Sequence, residues 1–92
     1  MSNQGLPTTF STLILSLASS AVLALGLEKN PHTDSYEKDL GMASFHIDML
    51  KLLKEKTKNN LLPDEQQFLD SVVSDLEIKY VYVRQGAKDQ AT

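Results

Sequence analysis

A run without a single charged residue, from Phe10 to Gly26, constrains the fold of this chain more than any other feature. Read as a helix, the run places one broad apolar face at the spacing of a buried surface, made of Phe10, Leu13, Ile14, Leu17, Ala18, Ala21, Ala24 and Leu25. The opposite side still carries Leu15, Val22 and Leu23 among hydroxyl residues. A helix that is apolar nearly all round must be covered on several sides. The cover comes from its own chain, from another subunit or from lipid.

Lipid is the least favoured of these three covers. The run nearly reaches the length of roughly 20 apolar residues that a spanning helix needs, but four serines and a threonine dilute it. No lysine or arginine precedes it, as a secretory signal would require, and no Trp or Tyr flanks it. We therefore predict a cytoplasmic protein, with a membrane-associated protein anchored through the first helix as the alternative.

The length of the chain favours cover by another subunit. Its 92 residues predict a single domain at 8–84, between a flexible N-terminus at 1–7 and a disordered C-terminal tail at 85–92. So small a domain often gains stability from disulfides, a metal or oligomerisation, and the sequence contains no cysteine. The net charge of -3 argues against nucleic acid as a partner, because phosphates attract basic surfaces.

Capping residues predict where three helices begin and end. The starts are marked by Thr8 or Thr9 for the first helix, by Asp34 (with Glu37 as its capping-box partner) or Asp39 for the second, and by Pro63 for the third. The ends are marked by Gly26 and by the pair Asn59-Asn60, because glycine and asparagine tolerate a left-handed backbone. The short link between the second and third helices predicts an antiparallel hairpin. We predict an all-α fold in which this hairpin packs against the first helix and oligomerisation completes the core.

The apolar patterns of the second and third helices differ in width. The second helix has an arc wider than half its circumference, formed by Met42, Ala43, Phe45, Ile47, Met49, Leu50, Leu52 and Leu53. The third has one stripe, formed by Phe68, Leu69, Val72, Val73, Leu76, Tyr80 and Val83, and a polar outer face, formed by Asp70, Ser71, Ser74, Asp75 and Glu77. Residues 78–83 also suit a short strand, but the continuing stripe favours a helix.

His46 is the one residue that suggests chemistry, because it lies near the middle of the second helix's apolar arc. A helical metal pair needs a second ligand three or four residues away, and those positions hold only Met42, Ala43, Met49 and Leu50. We therefore predict a structural, hydrogen-bonded histidine, with a metal ligand or proton acceptor as the alternative. No phosphate-binding loop or nucleophile signature occurs, so we predict no catalytic, cofactor-binding or metal-binding residues and no enzyme.

Several blocks of the sequence resemble one known family. They are Phe10 to Ala21, Leu25-Gly26, Glu37 to Leu40, His46 to Leu50, Glu55 to Lys58 and Asn60-Leu61. In this order, over about Thr9 to Val83, the chain resembles the bacterial domain-of-unknown-function family 1844. The resemblance implies a short, mostly helical bacterial protein without an established activity and supplies no functional residues. The chain departs from the family at Leu62, where threonine is more frequent, and at Phe45, where polar residues are frequent.

A row of small side chains on the first helix indicates where another subunit would pack. Thr12, Ser16, Ser20 and Ala24 are spaced four apart and form a ridge that lets a second helix approach closely, with Leu13, Leu17 and Leu23 beside it. We predict a homo-oligomer, most simply a dimer, in which a two-fold axis pairs this ridge with its own copy. The predicted function is a non-enzymatic, self-associating interaction module, and an unidentified second protein partner is left open.

Overall fold

The computed structural model describes the backbone of residues 7–91 and the side chains of residues 7–86. Across this range the chain forms three helices and no strand: α1 (Phe10–Ala24), α2 (Leu40–Lys56) and α3 (Pro63–Ala91). The predicted all-α class is confirmed. The N-terminus expected to be flexible lies outside the described residues except for Pro7, and Thr92 lies outside them as well.

Side-chain oxygens cap the first two helices. Thr9 Oγ1 accepts a hydrogen bond from the Thr12 amide at 3.1 Å, so α1 begins at Phe10, slightly later than predicted. Asp39 Oδ1 accepts one from the Met42 amide at 3.1 Å, so α2 uses the later of its two predicted starts. Asp34 caps no helix, because it lies in a turn with a left-handed backbone at φ 57°. Its short polar side chain makes that conformation accessible.

The predicted helix ends are confirmed at Gly26 and Asn59. Gly26 has φ 78°, its amide donates to the Leu23 carbonyl at 3.0 Å, and the next amide, of Leu27, donates to the Val22 carbonyl at 3.2 Å. These two bonds satisfy carbonyls that the end of α1 would otherwise leave unpaired. Asn59 follows α2 with φ 66°.

The loop between α1 and α2 brings the end of one helix to the start of the next. The Asp39 amide donates to the Ala24 carbonyl at 2.7 Å, which joins the α2 cap directly to the last residue of α1. Within the loop an isolated bridge pairs Asn30 with Ser35. Glu37 accepts a hydrogen bond from Ser35 Oγ at 3.0 Å and takes no part in a capping box.

The core is built from the predicted apolar faces, and each helix packs against both others. Its buried members are Ile14, Ala21, Leu25, Ala43, Ile47, Leu50, Leu69, Val73, Leu76 and Val83. Residues 78–83 are helical, as the continuing stripe predicted, and not a strand. The helix also runs through residues 85–91, which the sequence assigned to a tail beyond the domain end at 84. The apolar stripe stops at Val83, so apolar periodicity gave no sign of these last residues.

Candidate interaction surface

The apolar residues of α2 divide between two faces of the helix. Ala43, Ile47 and Leu50 are buried in the core. A second set, here called the α2 stripe, stays exposed: Met42 (44%), Phe45 (52%), Met49 (37%) and Leu52 (46%). The three helices together therefore cover only one of the two apolar faces of α2.

The spacing of the α2 stripe is that of a helix-packing seam. Its members follow one another at steps of three, four and three residues, which is the alternation by which one helix inserts side chains into another. Met42 lies on the opposite side of α2 from Lys51, since nine residues at about 3.6 residues per turn make two and a half turns. Lys51 faces α3, and α1 packs on the remaining side of α2. The stripe therefore borders α1.

Charged contacts occupy the α3 side of α2. Lys51 Nζ lies 3.0 Å from Glu77 Oε2, and Lys54 Nζ lies 3.1 Å from Asp70 Oδ1. The predicted outer face of α3 is therefore wrong for Asp70 and Glu77, which reach across to α2. A lysine row on one helix and acids on its neighbour were the available signal, but their pairing required the relative orientation of the helices.

These contacts perturb two ionisable groups. The hydrogen bond and the negative charge of Glu77 raise the pKa of Lys51 above its ordinary value. The hydrogen bond from Lys54, followed by one from Gln66, lowers the pKa of Asp70 below its ordinary value. The four side chains of these two ion pairs are about half exposed, so solvent screens the pairs and their contribution is chiefly to orientation.

His46 lies beside the α2 stripe, half buried. Its Nδ1 is 3.0 Å from the Met42 carbonyl oxygen, and because a carbonyl only accepts, Nδ1 carries the proton and donates. Its ring meets the Phe45 ring edge-on, with centroids 5.4 Å apart and an angle of 84° between the planes. Nε2 is thereby left as the acceptor of the neutral ring. Among the described residues, no group of three His, Cys, Asp or Glu side chains is placed to hold a metal ion.

The predicted interface residues of α1 do not form one evenly exposed row. Ser16 is exposed and Leu13 is 44% exposed, whereas Leu17 and Ala24 pack partly against the core. The remaining three, Thr12, Ser20 and Leu23, are half buried. The Ser20 hydroxyl donates to the Ser16 carbonyl at 3.2 Å, within the same helix. The structure thus leaves Leu13 and Ser16 as the most accessible members of the predicted set.

A shallow cleft of about 470 Å³ opens at the end of the bundle where α1 meets α2, between the loop that joins these helices and α3. Its walls include Leu27, Tyr36, Lys38 and Tyr82. Both tyrosines are largely exposed, at 65% and 70%. No pattern in the sequence marks this cleft, because its walls come from segments distant in the chain.

Fold and surface together define a small all-α protein whose second helix presents an uncovered apolar face. The chain belongs to the domain-of-unknown-function family DUF1844, whose family model matches residues 7–82. The resemblance drawn from the sequence is therefore confirmed. Neither a curated protein nor a solved structure matches the chain.

The apolarity of α1 does not make it a membrane span. In the part of the chain that the structure describes, no helix has both the length and the hydropathy needed to cross a bilayer. α1 has 15 residues, and at about 1.5 Å per residue it is shorter than the roughly 30 Å hydrocarbon core of a membrane.

Proposed function

We propose that this protein is a non-enzymatic helical module that self-associates, most simply as a cytoplasmic dimer, through α1 with support from α2. The observation that carries the proposal is the α2 stripe, in which four large apolar side chains remain between 37% and 52% exposed. Contiguous exposed apolar patches commonly mark interaction sites on soluble proteins. Burial of such a patch favours association in proportion to the apolar area removed from water.

The helical hairpin of α2 and α3 is part of the same proposal. The ion pairs support it, since the later lysine of α2, Lys54, meets the earlier acid of α3, Asp70, and the earlier lysine, Lys51, meets the later acid, Glu77. This reversed order is expected of antiparallel neighbours. The hairpin holds α2 with one face inward and leaves the α2 stripe outward, beside α1.

Light scattering after size exclusion, over a wide dilution series, tests self-association. We expect a mass above that of one chain. A mass of one chain at every concentration would refute self-association. Ser20→Glu places a charge on the α1 ridge and is expected to lower the mass or unfold the protein. Ser74→Glu is the matched control, because Ser74 is exposed on α3. Asp70→Lys is unsuitable as a control, since Asp70 contacts Lys54.

Detergent-free fractionation tests the alternative of a membrane-associated protein. The self-associating module is expected in the supernatant, whereas the alternative requires a pellet that detergent extracts and salt does not. Affinity capture from the native cells tests for the second protein partner that the proposal leaves open. In that experiment Phe45→Glu, on the α2 stripe, serves as the negative bait and Ser74→Glu as its control.

A further inference from the structure

We infer that the α2 stripe is covered by α1 of a second copy of this chain, so that each copy contributes one helix to each half of the interface. The inference rests on the proposed self-association and names its counterpart surface. It places the two-fold axis along the helices. The α1 ridge then meets α2 of the other copy and does not meet itself.

The area of the α2 stripe shows that α2 alone is too small an interface. Its four side chains are about half exposed, and even an aromatic side chain buries only on the order of 150–250 Å² when fully covered. The stripe therefore offers roughly 300–400 Å² per copy, whereas a stable interface buries about 800 Å² per partner. A dimer must include the bordering surface of α1, where Leu13 and Ser16 are exposed.

Charge decides which helix of the second copy meets the stripe. If two α2 helices (Leu40–Lys56) met antiparallel with Met42 opposite Leu52, the centre of the contact would fall at position 47, and Asp48 would lie close to its own copy. If they met parallel, each Lys56 would continue the seam next to the other. Such like-charge contacts disfavour an interface by up to several kcal/mol. α1 has no charged residue, so it covers the stripe without any of these contacts.

Side-chain size points the same way. The α2 stripe consists of large residues, and the exposed ridge of α1 carries small ones such as Ser16. Large side chains packed against small ones allow two helices to approach closely and interdigitate. Two copies of the stripe facing each other would instead place large against large.

The joint between α1 and α2 fixes which residues come opposite each other. The Asp39 amide donates to the Ala24 carbonyl at 2.7 Å, and this joint places the end of α1 beside the start of α2. Because α1 and α2 also pack side by side, the two helices are antiparallel. Counted from the joint, Ser16 lies eight residues back along α1 and Met49 lies ten residues forward along α2, so at about 1.5 Å per residue the two differ in level by only about 3 Å. A two-fold axis along the helices preserves that level, and therefore Ser16 of one copy faces Met49 of the other.

Cysteine cross-linking between separate chains tests this pairing, because the natural sequence contains no cysteine. Ser16→Cys protein is mixed with Met49→Cys protein, treated with a short bis-maleimide, and the products are identified by mass spectrometry. We expect the mixed product to form several times faster than either product between identical chains. Leu15→Cys replaces Ser16→Cys in the control, since Leu15 is 52% exposed but lies on another side of α1. That mixture is expected to cross-link slowly.

Each other outcome has a defined meaning. Faster cross-linking of Met49→Cys with itself would show a seam between two α2 helices, and faster cross-linking of Ser16→Cys with itself would show a paired α1 ridge. Either result overturns the inference and leaves self-association standing. A dimer that gives no cross-link in any mixture also overturns it. A parent mass of one chain removes the inference together with the proposed function.

Discussion

Leu62→Thr is expected to stabilise the protein, because α3 begins with only half of a capping box. The Leu62 carbonyl accepts from the Gln66 amide at 2.9 Å, which places Leu62 at the cap position. Glu65 Oε1 accepts from the Leu62 amide at 3.0 Å, so the returning acid is in place. The other half is missing, since leucine has no oxygen to accept from the Glu65 amide.

The gain follows from the cap alone. The Leu62 side chain is 66% exposed, so its replacement gives up little apolar burial. A side-chain oxygen at the cap position is worth about 1 kcal/mol, within a range of about 0.5–2 kcal/mol. For a domain of this size, that gain corresponds to a rise of roughly 4–8 °C in the midpoint of thermal unfolding.

Leu62→Val is the matched control, since valine has nearly the shape of threonine without its hydroxyl. Thermal and urea unfolding of the parent and both variants should be compared at one protein concentration, because association makes the midpoint concentration-dependent. Only the unfolding midpoint of the threonine variant is expected to rise above that of the parent. Equal midpoints for the threonine and valine variants would refute the capping argument. If the two halves of the capping box cooperate, Glu65→Ala should lower the unfolding midpoint more in the threonine variant than in the parent.

Three further perturbations have expected outcomes. Gly26→Ala should cost about 1–2 kcal/mol in chemical denaturation, because an L-residue is strained at φ 78°, whereas Gly41→Ala in α2 should stabilise by up to about 1 kcal/mol. His46→Gln should leave the unfolding midpoint nearly unchanged, whereas His46→Asp should lower it. A midpoint for His46→Asp equal to that of the parent would contradict a structural role for His46. Because the pKa of Asp70 is lowered in the folded state, its ionised form stabilises the fold, and this stabilisation is lost as pH falls below about 4. Lys54→Met should therefore make the free energy of unfolding depend less on pH in this acidic range. An unchanged pH dependence would exclude the Lys54–Asp70 pair as the source of the loss.

Helix positions were predictable because local rules and burial agreed. Gly26 and Asn59 marked helix ends that need a left-handed residue, and both have positive φ. Pro63 opens α3 as predicted. The start of α2 was ambiguous because Asp34 and Asp39 both resemble caps. Only the bond from Asp39 to the last carbonyl of α1 selects between them, and that bond is a tertiary contact.

The candidate surface was predictable only in part. The width of the α2 arc showed that one partner would not cover it, and the α2 stripe is the part left over. The sequence placed the interface chiefly on α1, where Leu17 and Ala24 pack partly against the core. Helical periodicity shows how much apolar surface a helix carries. It does not show which flank its neighbours in the same chain will occupy.

The excess apolar surface follows from the geometry of three helices. Each helix in such a bundle meets its two neighbours over an inward arc, and α3 fills its arc with Leu69, Val73, Leu76 and Val83. α2 carries a wider arc, so burial of Ala43, Ile47 and Leu50 leaves the α2 stripe outside. The remaining segment able to fold over it, the loop between α1 and α2, is held at one end of the bundle by the bond from Asp39 to Ala24. Since no described part of the chain lies free to cover the stripe, the cover that we propose comes from a second copy.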